Sequence, residues 1–546
     1  MGPVTVSPTE HVEQPPNGSE RTLTSASAWA PLRHPTFRAV WLASLVSNVG
    51  TWMQNTAAAW MMTALSASPL MVALMQTATS LPFFLLALPA GAMADIVDRR
   101  RVLIWTQVMM LAAAAALGVL TMLGLVSAWS LLGLTFALGI GGALTAPAWQ
   151  AFTPDLVPRS DLAAAVALTG VSFNVARAVG PALGGILSAA YGPGAVFVVN
   201  AASFLVVIAV LVAARTAVRT SSLPPEHVVG AMRAGARFVR HSLPYRAVLA
   251  RSAAFILPAS ALWALLPLVA RRDLALSAAG YGVLLGCLGL GAIVGAWFLP
   301  RLRQRMTADR LLAWATVLFA AATALVGVLR LVPAVAAVML AGGMAWMAAM
   351  STLSVAAQSA APAWVRARAL GISLLVVQGG LAIGSLLWGA LAAQAGTSIA
   401  LLAAAATLVA GLAAGWRQRL HGLDDLDLTP NPHWPEPVVL GEVDVERAPV
   451  LVTVEYEIDP EKAEAFADVM GELAAIRRRD GAVHWGLFRD AGRPDRFVEV
   501  FLVRSWLEHL RQHERITTAD RALEERVYAF LAHGRPTVTH LLGVRD

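Results

Sequence analysis

Twelve stretches of this 546-residue chain are nearly free of charge and long enough to cross a bilayer, which excludes an ordinary soluble fold. A helix rises 1.5 Å per residue, so about 20 apolar residues cover the hydrocarbon of a membrane. Runs of that kind lie near 38–65, 70–94, 102–125, 129–152, 163–190, 194–214, 247–270, 279–299, 310–329, 333–358, 367–392 and 396–416. Several hold glycine or proline internally, which helices tolerate better in lipid than in water. Charged residues are only 14% of the chain, against about 25% in soluble domains.

The arginines set a direction. One set of connections holds Arg99–Arg101, Arg159, Arg215, Arg219, Arg233, Arg237, Arg240, Arg301, Arg303, Arg305, Arg310, Arg366, Arg368, Arg417 and Arg419. The alternate set holds Arg271, Arg272 and Arg330. The arginine-rich side is therefore expected to be cytoplasmic, with both termini inside. The longest connection, 215–246, divides a first bundle of six helices (35–214) from a second (247–420). Gln150, Pro154 and Val157 recur 208 residues on as Gln358, Pro362 and Val365, as a duplicated six-helix unit would give. Residues 1–34 are rich in Ser, Thr, Pro and Glu and lack the apolar core of a cleavable signal, so they read as a disordered cytoplasmic lead.

A second chemistry begins near His421. Beyond it lie 24 of the 34 acids and 15 of the 41 basic residues, a net of −9 against +16 before it. The overall +7 does not make a nucleic-acid binder, because the cations sit in short loops and Lys462 is the only lysine. The single cysteine, Cys287, lies in an apolar run and allows neither a disulfide nor a cysteine metal site. No cofactor is called for. The expected partners are a small molecule and the lipid bilayer.

The hairpin between the second and third runs reads GAMADIVDRRRVL, residues 91–103. A topology signal would need only Arg99–Arg101; Gly91 and Asp95, four apart on one helical face, ask for a further reason. Gly91 admits a close neighbour, and an acid such as Asp95 at a helix C-terminus needs a cation or another helix's N-terminus. The stretch resembles the loop signature of the major facilitator superfamily, matching at Gly91, Ala94, Asp95, Arg99 and Arg100 and departing at Met93, Ile96 and Asp98. That resemblance implies twelve helices in two six-helix halves, alternating access, and a charge latch that gates the cytoplasmic side through Gly91, Asp95, Arg99, Arg100 and Arg101. The second-half counterpart, GAWFLPRLRQR at 295–305, has Leu299 where the acid would be, so any latch is asymmetric. APAWQAFTPDLVPRSDLAAAVAL (146–168), NVARAVGPALGG (174–185) and ALWALLPLVARRDL (261–274) are similar to the enterobactin-exporter-like, or transmembrane secretion effector, branch, which implies a bacterial cytoplasmic membrane.

Polar groups inside the spans are candidates for the transport pathway. Asn48, Thr51 and Asn55 form a stripe at i, i+3 and i+7. Gln150, Asn174, Gln358 and Gln378 are further candidates, with interhelical hydrogen bonding as the competing account of each. Arg177 lies 14 residues into its span, too deep to reach the surface easily, and either faces a polar cavity or is tied to carbonyls. Arg251, nearer an edge, is expected to reach back to water. Gly180, Pro181, Gly184 and Gly185 resemble the family's antiporter motif, with Ala176 in place of its leading glycine, and physically they let helices pack closely. Between 38 and 416 the acids are Asp95, Asp98, Asp155, Asp161, Glu226, Asp273 and Asp309, all at span ends or in loops. Proton coupling thus follows from the resemblance and has no support in the residues; Asp95 or Asp155 would carry it.

After an acidic, Pro-rich linker (421–449), periodicity predicts a strand–helix–strand–strand–helix–strand domain over 450–546, a ferredoxin-like α+β unit. It resembles dimeric α/β barrels of the antibiotic-biosynthesis-monooxygenase type. Trp485, Trp506, His484, His509 and His513 are its candidate chemistry, and His509 and His513 at i, i+4 lack a third metal ligand. A dimerisation or regulatory role is favoured over catalysis. The expectation is a non-enzymatic exporter of a siderophore or other small amphipathic metabolite. The alternatives are a proton-linked multidrug pump or a membrane-tethered, cofactor-free monooxygenase.

Overall fold

The computed structural model describes residues 29–96, 98–214, 228–415, 420, 427–431, 434 and 449–543. Within helices, the side chains of a few more, Asp95 among them, lie outside the described residues. Thirteen α-helices among the described residues precede the tail: α1 (Pro35–Leu65), α2 (Pro69–Ile96), α3 (Arg99–Met122), α4 (Ala128–Phe152), α5 (Leu162–Tyr191), α6 (Pro193–Ala213), α7 (Val228–His241), α8 (Leu243–Leu268), α9 (Ala278–Arg305), α10 (Ala308–Val328), α11 (Val332–Ser359), α12 (Arg366–Ala395) and α13 (Thr397–Ala414). Their starts are written locally. Pro35, Pro69 and Pro193 occupy first positions, where no N–H is needed. Ser127, Ser242, Ser277 and Thr307 each accept the N–H three residues on.

Ten of these helices, α2–α6 and α8–α12, are long and apolar enough to cross a membrane. The sequence reading expected twelve. α1 has the length, 31 residues, but Ser44, Ser47, Asn48, Thr51, Gln54, Asn55 and Thr56 dilute its apolar character. In α13 the apolar stretch is Thr397–Ala413, slightly short. Trp105, Trp129, Trp297 and Trp314 stand exposed near helix ends, as indole rings do at a membrane interface.

α1 packs on α5 and α6, α2 on α4, and α3 on α4 and α6. In the second group, α8 packs on α12 and α13, α9 on α11, and α10 on α11 and α13. The two groups meet along α2–α12 and α5–α9. The hints of duplication extend to the backbone. α5 and α12 are both 30 residues long, and each stops at a left-handed glycine, Gly192 (φ 81°) and Gly396 (φ 91°).

The connections α2–α3, α4–α5, α6–α8, α9–α10 and α11–α12 define an arginine-rich face, and the others an arginine-poor face. Against the arginine-rich face sits a tail with β1 (Val450–Glu457), α14 (Ala463–Asp480), β2 (His484–Arg489), β3 (Arg496–Val503), α15 (Trp506–Arg515), α16 (Thr518–Tyr528) and β4 (Thr537–Leu542). Its four-stranded antiparallel sheet has the order β2-β3-β1-β4. Val450, Val452, Val454 and Tyr456 alternate onto the helix side of β1, where Phe466, Met470 and Leu473 of α14 cover them. Arg237 of α7 donates to Glu508 at 2.6 Å, and the Arg515 guanidinium lies 4.6 Å over the ring of Trp364 in the α11–α12 connection. Burial pushes the Glu508 carboxyl up, but Arg515 and Arg237 outweigh this and hold it below the usual carboxylate range.

Candidate transport pathway

Between the two helix groups lies a cavity of about 460 Å³. The first group contributes Trp52 and Asn55 from α1, Gln76, Thr79, Ser80 and Phe83 from α2, Thr135 from α4, and Phe173, Arg177 and Pro181 from α5. The second contributes Trp263 from α8, Tyr281 and Leu285 from α9, Trp346 and Met350 from α11, and Gln378 from α12. Aromatic rings and a few polar groups share the wall, as in sites for small organic ligands. Of the expected pathway residues, Asn55, Arg177 and Gln378 line this space. Asn174 stands one turn from Arg177 and accepts a hydrogen bond from its Nη2 at 3.3 Å. Asn48, Thr51, Gln150 and Gln358 lie outside the lining; the Thr51 hydroxyl donates to the Ser47 carbonyl (2.9 Å), and the Gln358 amide to Ser354. Gln54, beside the α1 stripe, is buried and accepts from Asn200 of α6 at 2.5 Å.

Sequence reading missed Gln76, Thr79, Ser80 and Phe83. Their spacing, i, i+3, i+4 and i+7, was the available signal, since it sets all four on one face of α2. Ser80 accepts from Gln76 Nε2 at 3.0 Å, so the two present a joined polar patch. Trp263 and Trp346, packed edge to face at 5.3 Å, read in sequence as unremarkable apolar residues.

At the arginine-poor end the groups are tied together. Arg271 Nη1 donates to Thr63 Oγ1 at 3.1 Å and stands 5.3 Å over the ring of Trp60. Arg272 donates to the Ala67 carbonyl at 2.5 Å, and Trp60 stacks on Tyr281 at 5.8 Å. At the arginine-rich end, Arg99 pairs with Asp155 at 3.1 Å, while Arg100 donates to the Leu211 and Val212 carbonyls at the end of α6 (2.7 and 2.6 Å). Asp98 caps α3 by accepting the Arg101 amide at 3.1 Å. These contacts stay within the first group. The side chain of Asp95, the centre of the expected latch, lies outside the described residues. Arg251 does not reach back to water. It is buried, 2.7 Å from Asp309, whose carboxylate also accepts the Leu420 N–H.

The glycine motif sets two interfaces. A Cβ on Gly184 would lie 2.7 Å from the Met53 backbone of α1, and one on Gly180 2.5 Å from Trp52 Cβ. A Cβ on Gly185 would lie 2.6 Å from the Ala278 carbonyl and 2.9 Å from Gly282 Cα, both on α9. Gly180 and Gly184 therefore bring α5 against α1, and Gly185 brings it against the other helix group. Pro181, between them, also lines the cavity.

A family model described as transmembrane secretion effector matches residues 26–545. The chain belongs to this branch of the major facilitator superfamily, whose members are transporters and not enzymes. It is 30% identical over 271 residues to the enterobactin exporter EntS of Shigella boydii serotype 18, a match covering 48% of this chain and 62% of that protein. The EntS protein of Salmonella typhimurium is 28% identical over 333 residues (59% of this chain, 76% of that protein). An uncharacterized MFS-type transporter of Bacillus subtilis, YfiS, is 29% identical over 160 residues, 29% of this chain and 37% of its own length. The chain thus spans less than two thirds of two of these relatives. Among solved structures, a bacterial homolog of the lysosomal transporter Spinster, inward-facing and unoccupied, aligns with TM-score 0.57 at 15% identity, over 72% of this chain and 97% of that one. The nucleoside transporter NupG aligns at 0.59 with 11% identity, over 70% and 99%. These likenesses show the fold, a mostly helical facilitator bundle in a membrane.

Of the tail's candidate residues His484 is exposed at the start of β2, while Trp485, Trp506, His509 and His513 are taken up in packing. Trp485 Nε1 donates to buried Glu499 at 2.8 Å, and the same carboxylate accepts from Arg477 and Tyr456. His509 and His513 have ring centroids 4.9 Å apart. Burial lowers both to about 4, so they stay neutral. No cluster able to hold a metal is found among the described residues.

Proposed function

We propose that the chain exports a small amphipathic metabolite, of siderophore type or size, across a bacterial cytoplasmic membrane by alternating access. In this reading α1 and α13 complete twelve crossings, the arginine-rich face is cytoplasmic, and both termini are inside. The observation that carries it is the cavity shared by both helix groups and closed at the arginine-poor end by Arg271, Arg272 and Trp60. Access from the cytoplasm is what loading an exporter requires. The EntS relatives favour a secreted metabolite, and the aromatic lining suits one with rings. A proton-linked multidrug pump has weaker support, because no carboxylate or imidazole lines the cavity among the described residues.

The strand order of the tail supports a ferredoxin-like unit. Leu451, Val498, Val500, Leu502 and Leu541 alternate onto the sheet face away from the helices. A second copy of the tail would cover that face, and cross-linking in native membranes tests it. The transport reading is tested by comparing metabolites retained by cells lacking the chain with those of complemented cells. An amphipathic compound should accumulate inside and be released on complementation; identical profiles overturn the proposal.

A further inference from the structure

Resting on the transporter reading above, we infer that the substrate is an aromatic monoanion whose export is driven by the membrane potential, with Arg177 as its counter-charge. Among the described residues, Arg177 is the only charged side chain in the cavity wall. The hydrogen-bond partner it has is neutral, Asn174. A guanidinium keeps its charge at any physiological pH, and a fixed cation inside a membrane protein asks for an anion. Two further groups wait for acceptor atoms. Thr135 Oγ1 and Trp263 Nε1 are buried in the same wall with no hydrogen-bond partner, and a buried donor left unmade is costly. Arg177 and Thr135 belong to the first helix group and Trp263 to the second, so a ligand satisfying all three would join the groups. The rings of Trp52, Phe173 and Trp346 supply flat apolar surface for the rest of such a ligand.

The same wall states how the cargo is driven. Among its described residues there is no Asp, Glu or His, so these offer no site where a proton binds and leaves near neutral pH. An anion needs none. The cell interior is electrically negative, and an anion leaving it runs down the field. Each 100 mV then sustains an outward concentration ratio of about fifty. On the return step the empty protein carries no ligand charge. Charge on the substrate takes the place of charge on a coupling ion.

The test uses the full chain reconstituted in liposomes, with 2-naphthalenesulfonate as the anionic probe and 2-naphthalenesulfonamide as its neutral counterpart. Tryptophan quenching should give saturable binding of both. Arg177→Gln should raise the Kd of the sulfonate about tenfold or more and that of the sulfonamide less than about twofold, while Arg177→Lys keeps most of the sulfonate binding. Retained sulfonamide binding shows that the Gln variant is folded. A potassium diffusion potential, interior positive, should accelerate sulfonate uptake, and the opposite sign should stop it; a pH gradient alone should do neither. Equal loss of both probes in the Gln variant, absence of sulfonate binding to the wild type, or uptake that follows the pH gradient and ignores the potential overturns the inference and leaves the transporter reading standing. Binding of the sulfonate with no movement under either gradient overturns the transporter reading itself.

Discussion

Arg251 shows what a single residue reveals only in three dimensions. From sequence it is a cation near the edge of an apolar run, and reaching back to water is the natural expectation. Its partner lies 58 residues away at the start of α10, so the pair 2.7 Å apart is invisible to local pattern. Removing Arg251 takes away the cation that faces the largely buried Asp309 carboxylate. Arg251→Met should therefore cost about 3 kcal/mol of stability, read as a lowered unfolding midpoint in detergent; an unchanged midpoint contradicts this account. The α1 stripe teaches the complementary lesson. Asn48, Thr51 and Asn55 share a face on paper, yet only Asn55 reaches the cavity, because the cavity spans part of the helix and Thr51 bonds its own backbone. Helical periodicity specifies a side chain's direction, and its depth along the pathway comes from the partner helices.

At the scale of elements, the small-residue motif was legible and its two uses were not. Gly184→Leu would drive a side chain into the Met53 backbone. Backbone cannot rotate out of the way, so the folded yield in membranes should fall several-fold, measured by fluorescence-detected size exclusion. Gly170 faces open space, and Gly170→Leu should leave the yield unchanged. The tail makes a prediction about pH. His509 and His513 are held to about 4 by burial, while in an unfolded chain they titrate near 6.5. As pH falls from about 6.5 to about 4 the unfolded state takes up protons that the folded state refuses, so the tail loses stability over that window and levels off below it. A 5-fluorotryptophan label at Trp506, buried against His509 at 5.5 Å, should report a falling melting temperature by fluorine NMR; a flat profile between pH 7 and 4 would remove the histidines as the cause. The strands of the tail were readable because alternation survives in a half-buried sheet. That His509 and His513 sit inside was not, since a highly charged amphipathic helix looks solvated until its neighbours are in place.

Across the whole molecule, the sequence carried the mostly helical membrane bundle, because lipid demands long apolar runs. It could not carry the closure at the arginine-poor end, where Arg271 and Arg272 read only as a weak count against inside-facing arginines. Arg271→Ala should loosen that closure. In a Cys287→Ser background with Ala59→Cys as a probe in the cavity wall, labelling by an impermeant thiol reagent from the arginine-poor side should rise several-fold, and unchanged labelling would deny Arg271 that role. One further consequence concerns the line where α5 meets α9. Gly185 and Gly282 approach there with nothing but main chain between them, and Gly289 meets Ala178 two turns along the same seam. Surfaces so bare have no interlocking side chains to resist rolling and no slack to permit parting. If one bundle turns on the other, this seam is its fulcrum, and the loops at either rim travel farthest while the glycines scarcely move.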